Sequence, residues 1–174
     1  MSDERATPLP GQESVWDYPT VPRLEASRRS VAGEAFGAVL FNVRGGFRVI
    51  ERGFAPTHYV LIAKTRMELL EDSGRRRRCP HRGLMAFWSL VTAERTLHNI
   101  AWTIVDPEPA FEELRDHIAF FPSALGACWL DGERVREVPG DASGGWITSH
   151  VAGPFEHGQP PTLTEVAPDE QPGL

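Results

Sequence analysis

The chain has 174 residues, 41% of them hydrophobic and 24% charged, which suits one folded domain and excludes disordered and collagen-like classes. No apolar run approaches the ~20 residues that span a bilayer. The polar first thirty residues lack the apolar stretch of a secretory signal. The formal charge of −6 sits at the ends, with Asp3, Glu4, Glu13 and Asp17 against Arg5 on one side and Glu165, Asp169 and Glu170 on the other. The nearly neutral middle argues against a nucleic-acid partner, which needs a basic face to displace counterions from phosphates. A cytoplasmic protein with neither nucleic-acid nor membrane partner is expected. Of the 18 basic residues, Lys64 is the single lysine, a bias that reads as a GC-rich genome.

Residues 1–12 are polar and read as disordered, residues 13–158 as a single folded domain, and the proline-bearing residues 159–174 as a flexible tail. Within the domain, Phe36–Val43 reads as a strand stopped by Gly45-Gly46, with Phe47–Glu51 as its hairpin partner and His58–Ile62 as a further strand. Thr65 to Glu68 has capping-box spacing ahead of Leu69 and Leu70, so a short helix is expected there. Leu84–Thr92 and Thr96–Ile104 read as two long strands, and alternation places His98, Ile100, Trp102 and Ile104 on one face. Phe111, Leu114, Ile118 and Phe121 fall at helical spacing and predict a second helix over 110–121. Ala127–Leu130 and Glu133–Val138 flank Asp131-Gly132, a dipeptide suited to a two-residue type I′ turn. A last strand is expected over 146–151. The fold class is therefore mainly β with two short helices.

Chemistry concentrates in Cys79-Pro80-His81-Arg82-Gly83. Three readings stay open: Cys79 as a small buried hydrophobe, Arg82 as a fork for a carboxylate or phosphate, and Cys79 as a thiolate nucleophile activated by His81 or Arg82. Arg75–Arg78 reads as a solvated face in a loop. Trp88 and Trp102, on adjacent strands, can wall an apolar pocket together with His58 or Tyr59. The six histidines include no close pair at metal-ligand spacing, and two cysteines make neither a four-cysteine zinc site nor a disulfide framework, so no metal and no cofactor are expected. The carboxylate pairs Asp106/Glu108 and Asp131/Glu133 are explained by turn chemistry. No P-loop, dinucleotide fingerprint or nucleophile elbow is present.

ESVWDYP (13–19), VPRLE, TRMELL (65–70), CPHRGLMAFWS (79–89), NIAWTIVDPEP (99–109), HIAFFP (117–122), CWLDGERV (128–135) and GGWITSHVAGPF (144–155) together resemble one family, domain of unknown function 427, sometimes labelled nucleotidyltransferase-like. The resemblance implies a β-tent of two antiparallel sheets, similar to methionine sulfoxide reductase B and the cereblon ligand-binding domain, with a ligand in an aromatic-walled cleft. It carries no settled activity. His81, Arg82 and Phe87 stand where the family has an aromatic, a lysine and a tyrosine. Lys64, Ile104 and Glu156 replace an acid, a tyrosine and a lysine.

The leading expectation is a domain that binds a small anionic or aromatic molecule among His58, Tyr59, Trp88 and Trp102, with His81 and Arg82 as polar anchors. If it catalyses, His81 is the acid–base group and Arg82 steadies a developing oxyanion. The alternatives are a non-catalytic protein-interaction module and a Cys79-dependent enzyme.

Overall fold

A computed structural model describes residues 5–158 and 163–167. The chain forms β1 (Glu13–Ser14), β2 (Arg23–Ala35), β3 (Ala38–Ile50), β4 (Thr57–Leu61), β5 (Leu70–Cys79), β6 (Gly83–Val91), β7 (Thr96–Pro107), β8 (His117–Phe120), β9 (Ala127–Leu130), β10 (Glu133–Arg134), β11 (Val151–Ala152) and β12 (Thr164–Glu165). Ten strands make one sheet in the order β10-β9-β2-β3-β4-β8-β7-β6-β5-β12, each neighbouring pair antiparallel, while β1 and β11 pair in parallel. The protein is mainly β, and among the described residues no helix is long and apolar enough to cross a membrane. Residues 1–4, 159–162 and 168–174, parts of the expected terminal segments, lie outside the described residues.

The long ribbon of β2 and β3 organises the sheet. Its register breaks where Arg28 and Arg29 face the single residue Gly45, a bulge that sharpens local twist. Beyond the break, the half carrying Val31–Glu34 pairs with β9. Before it, Phe47–Val49 pairs with β4. Phe41 from the first half stacks on Phe120 of β8 at 4.6 Å, and Trp146 lies 6.2 Å from Phe41, so the two halves pack on one another. Gly46 adopts φ +138, and a Cβ there would lie 2.3 Å from the Tyr59 carbonyl oxygen, so only glycine fits against β4.

Several expectations are corrected. Gly45-Gly46 does not stop the strand. Phe47–Ile50 continues β3 and pairs with β2, a strand whose charged sequence hides it. Arg75–Arg78 belongs to β5 rather than to a loop. The helix expected over 110–121 is a six-residue 3-10 segment, Pro109–Leu114, followed by β8. The one near residue 67 is a single 3-10 turn, Met67–Leu69. Asn99 (φ +52) sits at a bulge between β6 and β7. Past it the alternation shifts, leaving His98 exposed while Ile100, Ala101 and Trp102 are all buried. The expected last strand is reduced to Val151–Ala152 and an isolated bridge from Ile147 to Arg136. Asp131 (φ +49) and Gly132 (φ +79) form the expected turn between β9 and β10.

Gly46→Ala combines a backbone clash with a strained φ and is expected to cost about 3 kcal/mol in urea unfolding. Gly37→Ala, at φ +74 with open space around it, is expected to cost about 1 kcal/mol. Equal losses would contradict the Gly46 constraint.

Candidate functional site

The Cys79–Gly83 turn joins β5 to β6. Gly83 has φ +119, and a Cβ there would come within 2.1 Å of the Asp106 carbonyl oxygen, so the turn lies flat against β7. The Glu108 N–H donates to the Arg82 carbonyl at 2.9 Å and pins it. These constraints turn Arg82 inward, where its residue exposure is 5%. A guanidinium taken that far from water costs several kcal/mol unless charge and hydrogen bonds compensate it. Compensation is incomplete. Its terminal nitrogen is 3.6 Å from a Glu51 carboxylate oxygen, an ion pair without a hydrogen bond, and its Nε has no hydrogen-bond partner among the described residues. Burial raises the Glu51 pKa against the pull of Arg82 and His81, so the pair is imperfect from both sides.

Arg82 borders a small hollow of about 20 Å³ with Met85, Phe87, Trp102 and Phe121. A second recess of about 190 Å³ adjoins it, sharing Arg77, Phe87, Phe121 and Ala142, and adds Arg75, Asn99, Ser123 and Asp141. Strand register sets the aromatic wall. Trp102 is paired with Phe87 across β6–β7, so both point to one face. Trp102 meets Phe121 at 4.5 Å, and the Phe87 and Phe121 rings lie 13° from parallel at 6.4 Å. The Trp102 Nε1–H donates to the Tyr59 hydroxyl at 3.0 Å, fixing the indole from behind. Burial raises the pKa of the Tyr59 phenol. Gly144 passes so close that a Cβ would lie 2.4 Å from the indole. The Asn99 Oδ1 is buried without a partner among the described residues.

The sequence-predicted residues separate into three places. Arg82 and Trp102 border the hollow, with Tyr59 in the packing behind it. Cys79 is buried in the same apolar cluster, as the plainest reading expects. His81 is half-buried beside Glu51 and does not line either recess. Trp88 corrects the expected pairing with Trp102: next to Phe87 in the strand, it points to the opposite face and donates its Nε1–H to Thr103. His58, next to Tyr59, likewise faces the other cluster and sits edge-on to Trp146 at 5.4 Å. Sequence reasoning missed Arg75, Arg77, Phe121, Asn99 and Glu51. Arg76 and Arg77 are buried, not solvated: Arg76 is paired with Asp72, and Arg75 and Arg77 with Glu165.

A larger concavity, about 550 Å³, lies elsewhere, over Glu13, Glu25, Arg28, Arg29, Arg48 and Asp131. Most of its charges answer one another, and Arg28 there is exposed to water. Arg48 donates to Glu13 and Glu25, and Arg29 to Asp131, leaving less unmet demand than at Arg82. Among the described residues no three His, Cys, Asp or Glu side chains converge to hold a metal ion.

The fold and site define a small antiparallel β domain with an arginine-rimmed, aromatic-walled recess. A family described as domain of unknown function, DUF427, matches residues 23–131, and the chain belongs to it. No curated protein matches the chain.

Burial, followed by the charges of Arg48 and Arg29, pushes the His58 pKa down to about 3, with Asp131 opposing. The unfolded chain therefore takes up this proton first. The contribution of neutral His58 is intact above about pH 6.5 and lost as pH falls toward 3. Between pH 7 and pH 5 this site removes about 2 kcal/mol of stability. Urea unfolding of His58→Gln is expected to lose about 2 kcal/mol less over that interval than the parent. Equal losses would contradict the assignment.

Proposed function

We propose that this protein binds a small molecule with an anionic group and an aromatic or apolar body in the recess formed by Arg77, Arg82, Phe87, Trp102 and Phe121. The observation that carries the reading is the Arg82 guanidinium, withdrawn from water with its Nε unpartnered and Glu51 only loosely opposed. A carboxylate or phosphate oxygen supplies the charge-assisted hydrogen bond that this nitrogen lacks. The near-parallel phenylalanine rings and the indole supply apolar area for the body. Arg75 and Arg77, 5.5 and 5.4 Å from the Phe87 ring, add positive charge at the rim. A second reading, acid–base catalysis by His81, is supported by Glu51, a carboxylate that feels both His81 and Arg82.

Titration calorimetry with phenyl phosphate, with phenol as the uncharged comparator, tests the binding reading. Saturable binding of phenyl phosphate alone is expected. Arg82→Gln is expected to weaken it at least about tenfold. Arg82→Lys, which keeps the charge but loses the planar fork, is expected to fall between. Circular dichroism checks that each variant is folded. Undiminished binding by folded Arg82→Gln would overturn the reading.

A further inference from the structure

The hollow beside Arg82 is too small for the ligand proposed for it. About 20 Å³ is room for one water, whereas benzene takes a cavity on the order of 150 Å³. The adjoining recess of about 190 Å³ is large enough, and a segment of the chain itself borders the hollow and holds two arginines of the recess. Leu163 lines the hollow and packs against the Trp102 cluster. Two residues on, and so on the same face of an extended strand, the Glu165 carboxylate accepts from Arg75 at 2.7 Å and from Arg77.

We propose that Leu163–Glu165 is an internal competitor for this recess, and that the ligand it yields to is a compact dianion on an apolar body, of the phosphomonoester class. The inference rests on the reading of the recess as a binding site. The segment presents the two chemical features the recess selects, an apolar group and a carboxylate. Glu165 brings one negative charge to the two guanidinium groups it touches, the other carboxylate at the recess, Asp141, accepts from the Ser143 N–H instead, and Arg82 nearby is itself only partly answered by Glu51. A dianion meets that field better than a carboxylate does.

The segment is also lightly held. Among the described residues β12 pairs with β5 through Thr164–Arg78 and Glu165–Arg77, with a further bond from the Val166 N–H to the Arg76 carbonyl at 3.0 Å. The Glu165 side chain is 54% exposed and its pair with the half-exposed Arg75 is weak and screened by salt, whereas the buried Arg77 keeps a counter-charge only as long as Glu165 or an incoming anion supplies it. Lifting the segment frees Arg77, opens the hollow beside Leu163 and joins the two spaces into one. Because the segment and the ligand compete, apparent affinity scales with the fraction of molecules in which the segment is lifted.

Titration of the full-length protein at pH 8 with phenyl phosphate, and separately with benzoate, distinguishes the outcomes. Leu163→Ser/Glu165→Gln is expected to bind phenyl phosphate about tenfold tighter than the parent, with a smaller gain for benzoate. Glu165→Gln alone, which keeps the shape of the segment, is expected to give part of that gain. Parent and double variant binding phenyl phosphate equally would overturn the competitor while leaving the binding site standing. Equal gains for both probes would overturn the dianion preference. No binding by either protein would overturn the binding-site reading itself, and the competitor with it.

Discussion

A charged group withdrawn from water must be answered, and in this protein Arg82 is answered only in part. Its desolvation costs several kcal/mol, while its nearest counter-charge, Glu51, stands 3.6 Å away with its own charged form disfavoured by burial. The surrounding framework holds the guanidinium in place regardless. Gly83 against Asp106, the Glu108 N–H on the Arg82 carbonyl and the apolar packing of Cys79 and Met85 fix the β5–β6 turn. Surface ion pairs such as Arg23–Glu25, with a 58% exposed guanidinium, carry no such demand. That contrast separates the recess at Arg82 from the larger concavity at Arg48, where Arg48 and Arg29 are paired with carboxylates and Arg28 is exposed to water.

The sheet brings the other parts to this point. The break in the β2–β3 ribbon at Gly45-Gly46 lets Phe41 pack on Phe120 and leaves β4, β8 and β7 side by side. Tyr59 on β4, Trp102 on β7 and Phe121 just after β8 then form one aromatic cluster, edge-on at Tyr59 and tilted at Phe121. The chain around Gly144 closes over the indole. Asp141 accepts from the Ser143 N–H at 2.8 Å and, through its carbonyl, from the Ser123 hydroxyl at 3.1 Å, which ties that chain to the recess wall.

The elements legible in the sequence were those written in local apolar runs and turn chemistry: β4, β6, β7 and the Asp131-Gly132 hairpin. β2 and β5 were not legible, because the aliphatic stems of their arginines and the carboxylates beside them do what alternating apolar residues do elsewhere. Arg77, for example, is buried against Phe87 and paired with Glu165, 88 residues away. No local pattern reports such a partner. β8 was hidden because Phe111, Leu114, Ile118 and Phe121 fit a helix as well as they fit a 3-10 turn followed by a strand. Of the candidate site, Arg82 and Trp102 were legible from CPHRG and from strand alternation. Trp88 failed by the same alternation: its neighbour Phe87, not Trp88 itself, is in register with Trp102.

Nuclear magnetic resonance reads the Arg82 Nε directly. In protein labelled with 15N, the Arg82 Nε–Hε resonance is assigned by its loss in Arg82→Lys and followed during addition of phenyl phosphate. A saturable downfield shift of Hε, as a charge-assisted hydrogen bond forms, is the predicted result. An Hε resonance that stays in place while other recess signals saturate would show that the buried guanidinium is not the anchor.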